Sequence, residues 1–79
     1  MLRPKMRVLG AAGRALGRVD TLEYDAVTGY LNSLVVRHGR FGRTHTFISA
    51  DHVTQINEAS VLLDLSVAEF QGLPTVEDR

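Results

Sequence analysis

The stretch Gly13-Arg14-Ala15-Leu16-Gly17-Arg18-Val19-Asp20 decides how this chain folds. In it and just beyond it, Leu16 and Leu22 share one phase of a two-residue repeat, whereas Val19 takes the other phase. Because a regular strand turns successive side chains to opposite faces, a straight strand would divide these apolar residues between two sides of a sheet. The pattern therefore predicts a strand that is not straight.

A bend or bulge near Gly17 or Asp20 would return the apolar residues to one face. Glycine inside a strand is common where a sheet curls tightly. We therefore expect Arg14 to Glu23 to form one long bent strand. A sheet built on such a strand is predicted to roll into a small β-barrel.

Short apolar runs between turn residues predict the remaining strands. They lie at Met6–Leu9, Tyr30–Arg37, Thr44–Ile48, Val53–Asn57 and Val61–Leu65. Asp25 and Gly29 suit a tight turn, because aspartate can hydrogen-bond its own turn and glycine readily takes a positive φ. A single helical turn is expected at Ser49–His52. The predicted fold class is all-β.

The segment from Ser66 to Gln71 predicts a short C-terminal helix. Ser66 and Glu69 have the spacing of a capping box, in which each side chain accepts a hydrogen bond from the other residue's backbone N–H. Gly72 is expected to end the helix in the left-handed conformation. So short a helix is stable only when it is docked, and its expected anchors are Phe70 and Leu73.

The chain has 79 residues and no cysteine, which fits one small domain without disulfides. We expect one domain over residues 1–79, with a core at about 5–74 and a frayed tail over 75–79. The apolar run that follows the charged N-terminal residues is too short for a signal peptide or a membrane span. A soluble, cytoplasmic protein without membrane insertion is therefore expected, and association with another chain is the most available source of extra stability.

Charge is balanced overall but unevenly distributed along the chain. Residues 1–45 hold eight Lys/Arg against three Asp/Glu, and residues 46–79 hold one against six. This differs from the uniformly basic composition of a nucleic-acid-binding domain. The two signs can neutralise each other within the fold or between neighbouring copies.

The third predicted strand is apolar on both faces in its second half, which requires cover on both sides. Leu34 and Val36 share one phase, and Leu31 and Val35 share the other. Two sources of cover for Leu34 and Val36 remain open, namely the C-terminal helix with Phe70 and Leu73, or a second copy of the chain. These four residues are the candidate self-association site.

Four groups of residues in fixed order resemble the PRC-barrel family. They are Gly-x-x-Leu-Gly-x-Val-Asp at 13–20, Thr-Gly at 28–29 leading to Leu-Val-Val at 34–36, Ile48 before Asp-His-Val at 51–53, and Leu-Ser-x-x-Glu-Phe with Leu-Pro at 65–74. The resemblance spans nearly the whole chain. Ser49 departs from it, because family members commonly have proline there.

The resemblance implies a six-stranded antiparallel barrel with a short C-terminal helix. Family members include the cytoplasmic domain of the photosynthetic reaction centre H subunit and the C-terminal domain of the ribosome maturation factor RimM. The best-known members bind another protein or complex and hold it in place. By resemblance, this chain is expected to be a non-catalytic docking module.

A basic segment between the third and fourth strands is the candidate partner-binding site. Arginine forks bind carboxylates or phosphates, and an aromatic ring can stack on a base or fill a pocket of a partner. A solvated loop, a protein contact and a nucleic-acid contact remain open as interpretations. The candidate residues are Arg37, Arg40, Phe41, Arg43 and His45.

No catalytic, cofactor or metal site is expected. His38, His45 and His52 recur every seven residues, a spacing that strands and loops do not bring together around a metal. Ser49 lies too close in sequence to Asp51-His52 to assemble a separated nucleophile, base and orienting group. The resemblance implies a protein-binding scaffold, which we expect to form a homodimer, and an RNA- or ribosome-associated factor that uses the basic segment 37–45 is the alternative.

Overall fold

The computed structural model of this protein describes residues 5–77. Within that range the chain forms seven strands, one 3₁₀ turn and one α-helix. The strands are β1 (Arg7–Leu9), β2 (Ala15–Tyr24), β3 (Leu31–His38), β4 (Thr44–Ser49), β5 (Val53–Ile56), β6 (Ser60–Leu63) and β7 (Thr75–Glu77). The 3₁₀ turn is Ala50–His52 and α1 is Val67–Gln71. The all-β prediction is confirmed.

The seven strands form one sheet in the order β5-β6-β1-β2-β3-β4-β7. Neighbouring strands run antiparallel except β1 and β6, which are parallel. Strands β5 and β7 are the two edges, so the sheet formed by residues 5–77 is not closed. The expected six-stranded antiparallel barrel is therefore wrong in strand number, in the direction of one pair and in closure.

The additional strand comes from the segment expected to be a frayed tail. Residues Thr75–Glu77 pair antiparallel with the first half of β4, with Val76 opposite His45. An open strand edge offers unpaired backbone donors and acceptors, and a following segment of chain can satisfy them. The prediction of a tail is wrong for 75–77, and residues 78–79 lie outside the described range.

The predicted bend of β2 is confirmed, and its first part is a bulge against β1. Val8 lies opposite Gly17, whereas the next residue, Leu9, lies opposite Ala15. Leu16 is therefore the extra residue on β2. An extra residue bends the strand and changes the phase of its side chains.

A second bulge follows on the opposite side of β2. Val19 pairs with Val36 and Thr21 pairs with Val35, so Asp20 is the extra residue against β3. Together the two bulges allow Leu16 and Val19 to be buried in the same core despite their opposite phases. The sheet thus curls around one apolar cluster, as the sequence pattern predicts.

The core lies on the concave face of this sheet and is covered by α1. Buried side chains from β1, β2, β3, β4 and β6 meet those of the helical segment. The members of the core are Met6, Val8, Leu16, Val19, Leu34, Val36, Ile48, Val61, Leu63, Leu65 and Phe70. Burial of these aliphatic side chains is the main stabilising term of a domain that has no disulfide.

The face of β3 that carries Leu34 and Val36 packs against the core. Leu34 and Val36 are fully buried there with Phe70, and Leu73 is partly buried against it. Cover by the same chain, one of the two alternatives, is therefore confirmed. The side chains of Leu34, Val36 and Phe70 have almost no exposed surface to offer a second copy.

An extra residue near the start of β3 changes the phase of its side chains. Glu23 pairs with Ser33 and Tyr24 pairs with Leu31, which leaves Asn32 unpaired in the register. This shift lets Leu31 pack against the same core as Leu34 despite their odd spacing. Val35, which the sequence pattern predicts to share a face with Leu31, therefore lies on the face opposite to Leu31.

The cap of α1 is confirmed atom by atom. The Ser66 Oγ accepts a hydrogen bond from the Glu69 N–H (3.1 Å), and the Glu69 carboxylate accepts one from the Ser66 N–H (2.9 Å). The end of the helix differs from the prediction, because Gly72 has a φ of −79° and is not left-handed. Within residues 5–77, neither α1 nor the 3₁₀ turn is long enough to cross a membrane.

The turn between β2 and β3 forms as predicted. The Asp25 Oδ1 accepts hydrogen bonds from the backbone N–H groups of Val27 (2.8 Å) and Thr28 (2.9 Å), and Gly29 has a φ of +75°. The Thr28 and Val27 backbone bonds hold the pKa of the Asp25 carboxyl below its usual value, because they favour the charged form. The turn sets the hairpin that carries the long strands.

Gly17 is required by a close approach of β2 to β3. A Cβ atom at this position would overlap the carbonyl oxygen of Arg37 and would lie 2.9 Å from the Cβ of His38. Gly13, in contrast, has a φ of +79° and open space around it. The two glycines are thus needed for different reasons.

We expect Gly17→Ala to destabilise the domain by roughly 2–4 kcal/mol, because backbone atoms of β3 must move to admit the methyl group. Gly13→Ala is the matched control and should cost only about 1–2 kcal/mol, for its left-handed backbone. Urea unfolding followed by circular dichroism measures both values. A loss at Gly17 equal to or smaller than that at Gly13 would contradict the close approach.

Candidate functional site

The loop between β3 and β4 places part of the predicted site at an exposed tip. We call residues 39–43 the hairpin tip. Gly39 and Gly42 have φ values of +90° and +64°, and the Gly42 N–H donates to the Gly39 carbonyl oxygen (3.2 Å). These two positive φ values turn the chain sharply and leave the three residues Arg40, Phe41 and Arg43 exposed.

Phe41 is the most prominent apolar group of the tip, with 77% of its surface exposed. The guanidinium carbon of Arg40 lies 5.8 Å from the centre of its ring. A cation over an aromatic face at this distance is worth about 0.5–1 kcal/mol at an exposed site. The pair therefore presents a flat aromatic surface next to a positive charge.

The other two predicted residues, Arg37 and His45, lie in the strands and not in the loop. They occupy directly opposite positions on β3 and β4. Each is adjacent in sequence to a buried residue, Val36 or Thr46, so both side chains belong to the face opposite the core, which we call the outer face. The structure thus divides the predicted site between the hairpin tip and the outer face.

The register extends this pair into a row of basic residues across four strands. Arg7 on β1 lies opposite Arg18 on β2, Arg18 lies opposite Arg37 on β3, and Arg37 lies opposite His45 on β4. Neighbouring strands are about 4.7–4.9 Å apart, so the four side chains follow one another closely across the outer face. We call Arg7, Arg18 and Arg37 with His45 the arginine row.

Two contacts hold the middle of the row. The Arg37 guanidinium forms an ion pair with Asp20 (3.2 Å), the bulged residue of β2. The Arg18 guanidinium donates to the carbonyl oxygen of Lys5 (3.1 Å). Like charges directly opposite each other destabilise a sheet, and Asp20 offsets this repulsion at Arg37.

A groove of about 370 Å³ lies beside the row, between the start of β2 and the hairpin tip. Its walls include Arg18 and Arg37, and the backbone of Gly17, Gly39 and Gly42. Because three of these residues have no side chain, the groove keeps the backbone accessible next to two guanidinium groups. Such a site can receive carboxylate or phosphate oxygens.

The row beside the arginine row on the outer face contains one polar and two apolar residues instead of basic ones. Thr21, Val35 and Phe47 lie side by side on β2, β3 and β4. Val35 is buried, whereas 60% of Phe47 is exposed. An exposed aromatic ring therefore flanks the arginine row.

The other two histidines, His38 and His52, lie in environments that differ from that of His45 and from each other. The His38 Nε2 is 2.7 Å from the Thr46 Oγ1, and its ring packs edge-on against Phe70 at 4.7 Å. The His52 Nδ1 is 2.9 Å from the Asp64 Oδ1 at the surface. Among residues 5–77 no group of three or more potential metal ligands comes together.

The serine considered as a nucleophile serves as a cap. The Ser49 Oγ accepts a hydrogen bond from the Asp51 N–H (3.3 Å) at the start of the 3₁₀ turn. His52 faces Asp64 on the following part of the chain. These contacts give both side chains structural roles.

Arg7 and Arg18 were missed by the sequence reasoning, although the predicted strands contain or adjoin both. Their signal lies in the pairing register, which places one opposite the other across β1 and β2. The first bulge sets this register, and its position cannot be read from β1 alone.

Comparison with protein-family models and with curated proteins finds no match to this chain.

His38 supplies a testable pH dependence. Burial lowers the pKa of His38, and the nearby His45 lowers it further. The unfolded chain therefore binds this proton more readily than the folded chain, so the free energy of unfolding decreases as the pH falls below about 6.5. The charge that forms in the folded state lies next to Phe70 and Thr46.

We expect His38→Gln to reduce the loss of stability between about pH 7.5 and about pH 5, because glutamine does not titrate and can still hydrogen-bond Thr46. Urea unfolding of both proteins at each pH measures the difference, and contributions from the remaining groups cancel. Equal pH dependence in the two proteins would contradict a lowered pKa at His38.

Proposed function

We propose that this chain is a PRC-barrel-like, non-catalytic interaction module that binds another protein in the cytoplasm. The motifs at 13–20, 28–36, 48–53 and 65–74 support the family assignment. A curled all-β sheet with one core, covered by a short capped helix, is compatible with it. The single observation that carries the binding role is the hairpin tip, where Arg40 and Phe41 stand exposed together.

The composition of the tip matches the surfaces that proteins use for recognition. Aromatic residues and arginine are enriched where partners bind, because they combine large contact areas with directed polar groups. At the tip, Arg40 supports the exposed ring of Phe41, and Arg43 follows on the same turn. We infer that Phe41 enters a pocket of the partner while the arginines pair with carboxylates at its rim.

The proposal includes a homodimer, and we infer that its interface lies away from the core. With Leu34, Val36 and Phe70 buried, the exposed apolar groups of the β4–β7 edge are the alternative. Phe47 is 60% exposed and Val76 is 55% exposed. An exposed strand edge with apolar side chains favours pairing with a second copy.

An RNA- or ribosome-associated factor is the second candidate. The arginine row favours it, because cations spaced across a sheet can follow a phosphate backbone. Phe41 and Phe47 supply rings on which bases can stack. Binding of this kind weakens steeply with added salt.

We expect Arg40→Glu/Arg43→Glu to lose the proteins that the tagged wild-type chain retains from a lysate, because reversed charges at the rim repel carboxylates. Lys5→Glu/Arg14→Glu carries the same change of charge outside the tip and should retain them. Quantitative mass spectrometry compares the three. Equal retention by the tip variant, or equal loss in the control, would contradict docking through the tip. Nuclease-sensitive retention would favour the RNA candidate.

We expect the wild-type protein to shift from monomer to dimer over about a hundredfold range of protein concentration, because association follows mass action. Phe47→Gln should weaken the dimer, whereas Phe41→Gln should leave it unchanged. Light scattering coupled to gel filtration measures the mass of each. A wild-type monomer at every concentration would end the dimer proposal.

A further inference from the structure

We propose that the arginine row and the groove beside it bind an extended acidic segment of a partner protein. This inference rests on the proposed function in one respect, since it names the chemistry of the partner. The groove shares Gly39 and Gly42 with the hairpin tip but none of the exposed side chains of Arg40, Phe41 and Arg43, so the two can fail separately.

The first step is that repulsion within the arginine row lowers the stability of the folded protein. Arg7 faces Arg18 and Arg18 faces Arg37, so two pairs of like charges lie directly opposite each other. Pairs of this kind destabilise a sheet. Asp20 is the carboxylate that pairs with Arg37, and Arg18 donates to a neutral carbonyl oxygen. A bound anion would add negative charge between these guanidinium groups and so relieve the repulsion between Arg7, Arg18 and Arg37.

The second step is the shape of the site. The groove of about 370 Å³ lies near the lower end of the range of pockets that hold small ligands. Ala15 and Leu16 form part of its apolar wall, and Gly17 and Gly39 expose backbone. An extended peptide can therefore lay its main chain along the groove and direct its side chains to Arg18 and Arg37.

The third step concerns the class of ligand. A peptide with spaced carboxylates fits the site better than the phosphate backbone of a nucleic acid. The chain has no net charge, unlike typical nucleic-acid-binding domains. Asp20 stands 3.2 Å from Arg37, and Glu23 lies on the same strand, opposite Ser33. These carboxylates would repel a continuous run of phosphates, whereas a peptide can place a neutral residue beside them.

The fourth step concerns the flank of the acidic segment. The row next to the arginines presents Phe47, which is 60% exposed, beside the buried Val35. An apolar residue following the acidic ones would cover this ring, in competition with the proposed dimer contact of Phe47. The preferred partner segment is thus acidic and extended, with one apolar side chain at its end.

The test uses fluorescence anisotropy with three labelled probes. They are a peptide of six glutamate-alanine repeats, the same peptide with lysine in place of glutamate, and an oligouridylate of twelve nucleotides. Arg18→Gln removes the centre of the row, and Arg14→Gln removes an exposed arginine outside it as the matched control. Thermal unfolding verifies that each variant is folded.

We expect the glutamate peptide to bind the wild-type protein, and the lysine peptide not to bind it. Arg18→Gln should weaken binding about tenfold, the loss expected for one charge-assisted hydrogen bond. Arg14→Gln should change it by less than about twofold. Because Arg18→Gln also removes repulsion, its thermal stability should equal or exceed that of the wild type.

Three results would overturn the inference. They are no binding of the glutamate peptide at low salt, equal weakening by Arg18→Gln and Arg14→Gln, and tighter binding of oligouridylate than of the peptide. The last result would transfer the site to the RNA candidate. Peptide binding that survives Arg40→Glu/Arg43→Glu would support this site even if capture through the tip fails.

Discussion

The rest of the structure depends on the double bulge in β2. Without the extra residues Leu16 and Asp20, the strand would send its apolar side chains to both faces, and no single core could form. The bulges also increase the local twist, which lets the sheet curl around the cluster that Phe70 covers. Gly17 makes the bend possible, because β3 passes too close for any side chain at that position.

The same constraint creates the candidate binding surface. Once the bulges commit Val19 to the core, the residue beside it, Arg18, must face outward. The register then aligns Arg18 between Arg7 and Arg37, and the bulged Asp20 becomes the counter-ion of Arg37. One backbone feature thus determines both the apolar lining of the fold and the charge of its outer face.

What could be predicted from the sequence was local. The break in the apolar pattern located the bend, and the Ser66–Glu69 spacing located the helix cap, because each depends on neighbouring residues alone. Features that depend on contacts between distant segments could not be predicted, because the sequence of one strand does not show which residues it pairs with. Strand β7 has only three residues, too few to show a period, and the arginine row exists only across strands. The prediction that Leu31 and Val35 share a face is wrong because Asn32, one extra residue, shifts the phase of β3.

The curl of the sheet depends on the extra residue that β2 carries at Asp20 in its pairing with β3. Nuclear Overhauser contacts between backbone protons of β2 and β3 measure this pairing in solution. We expect cross-strand contacts of Val19 with Val36 and of Thr21 with Val35, with Asp20 skipped. A regular ladder in which Asp20 lies opposite Val35 would contradict it.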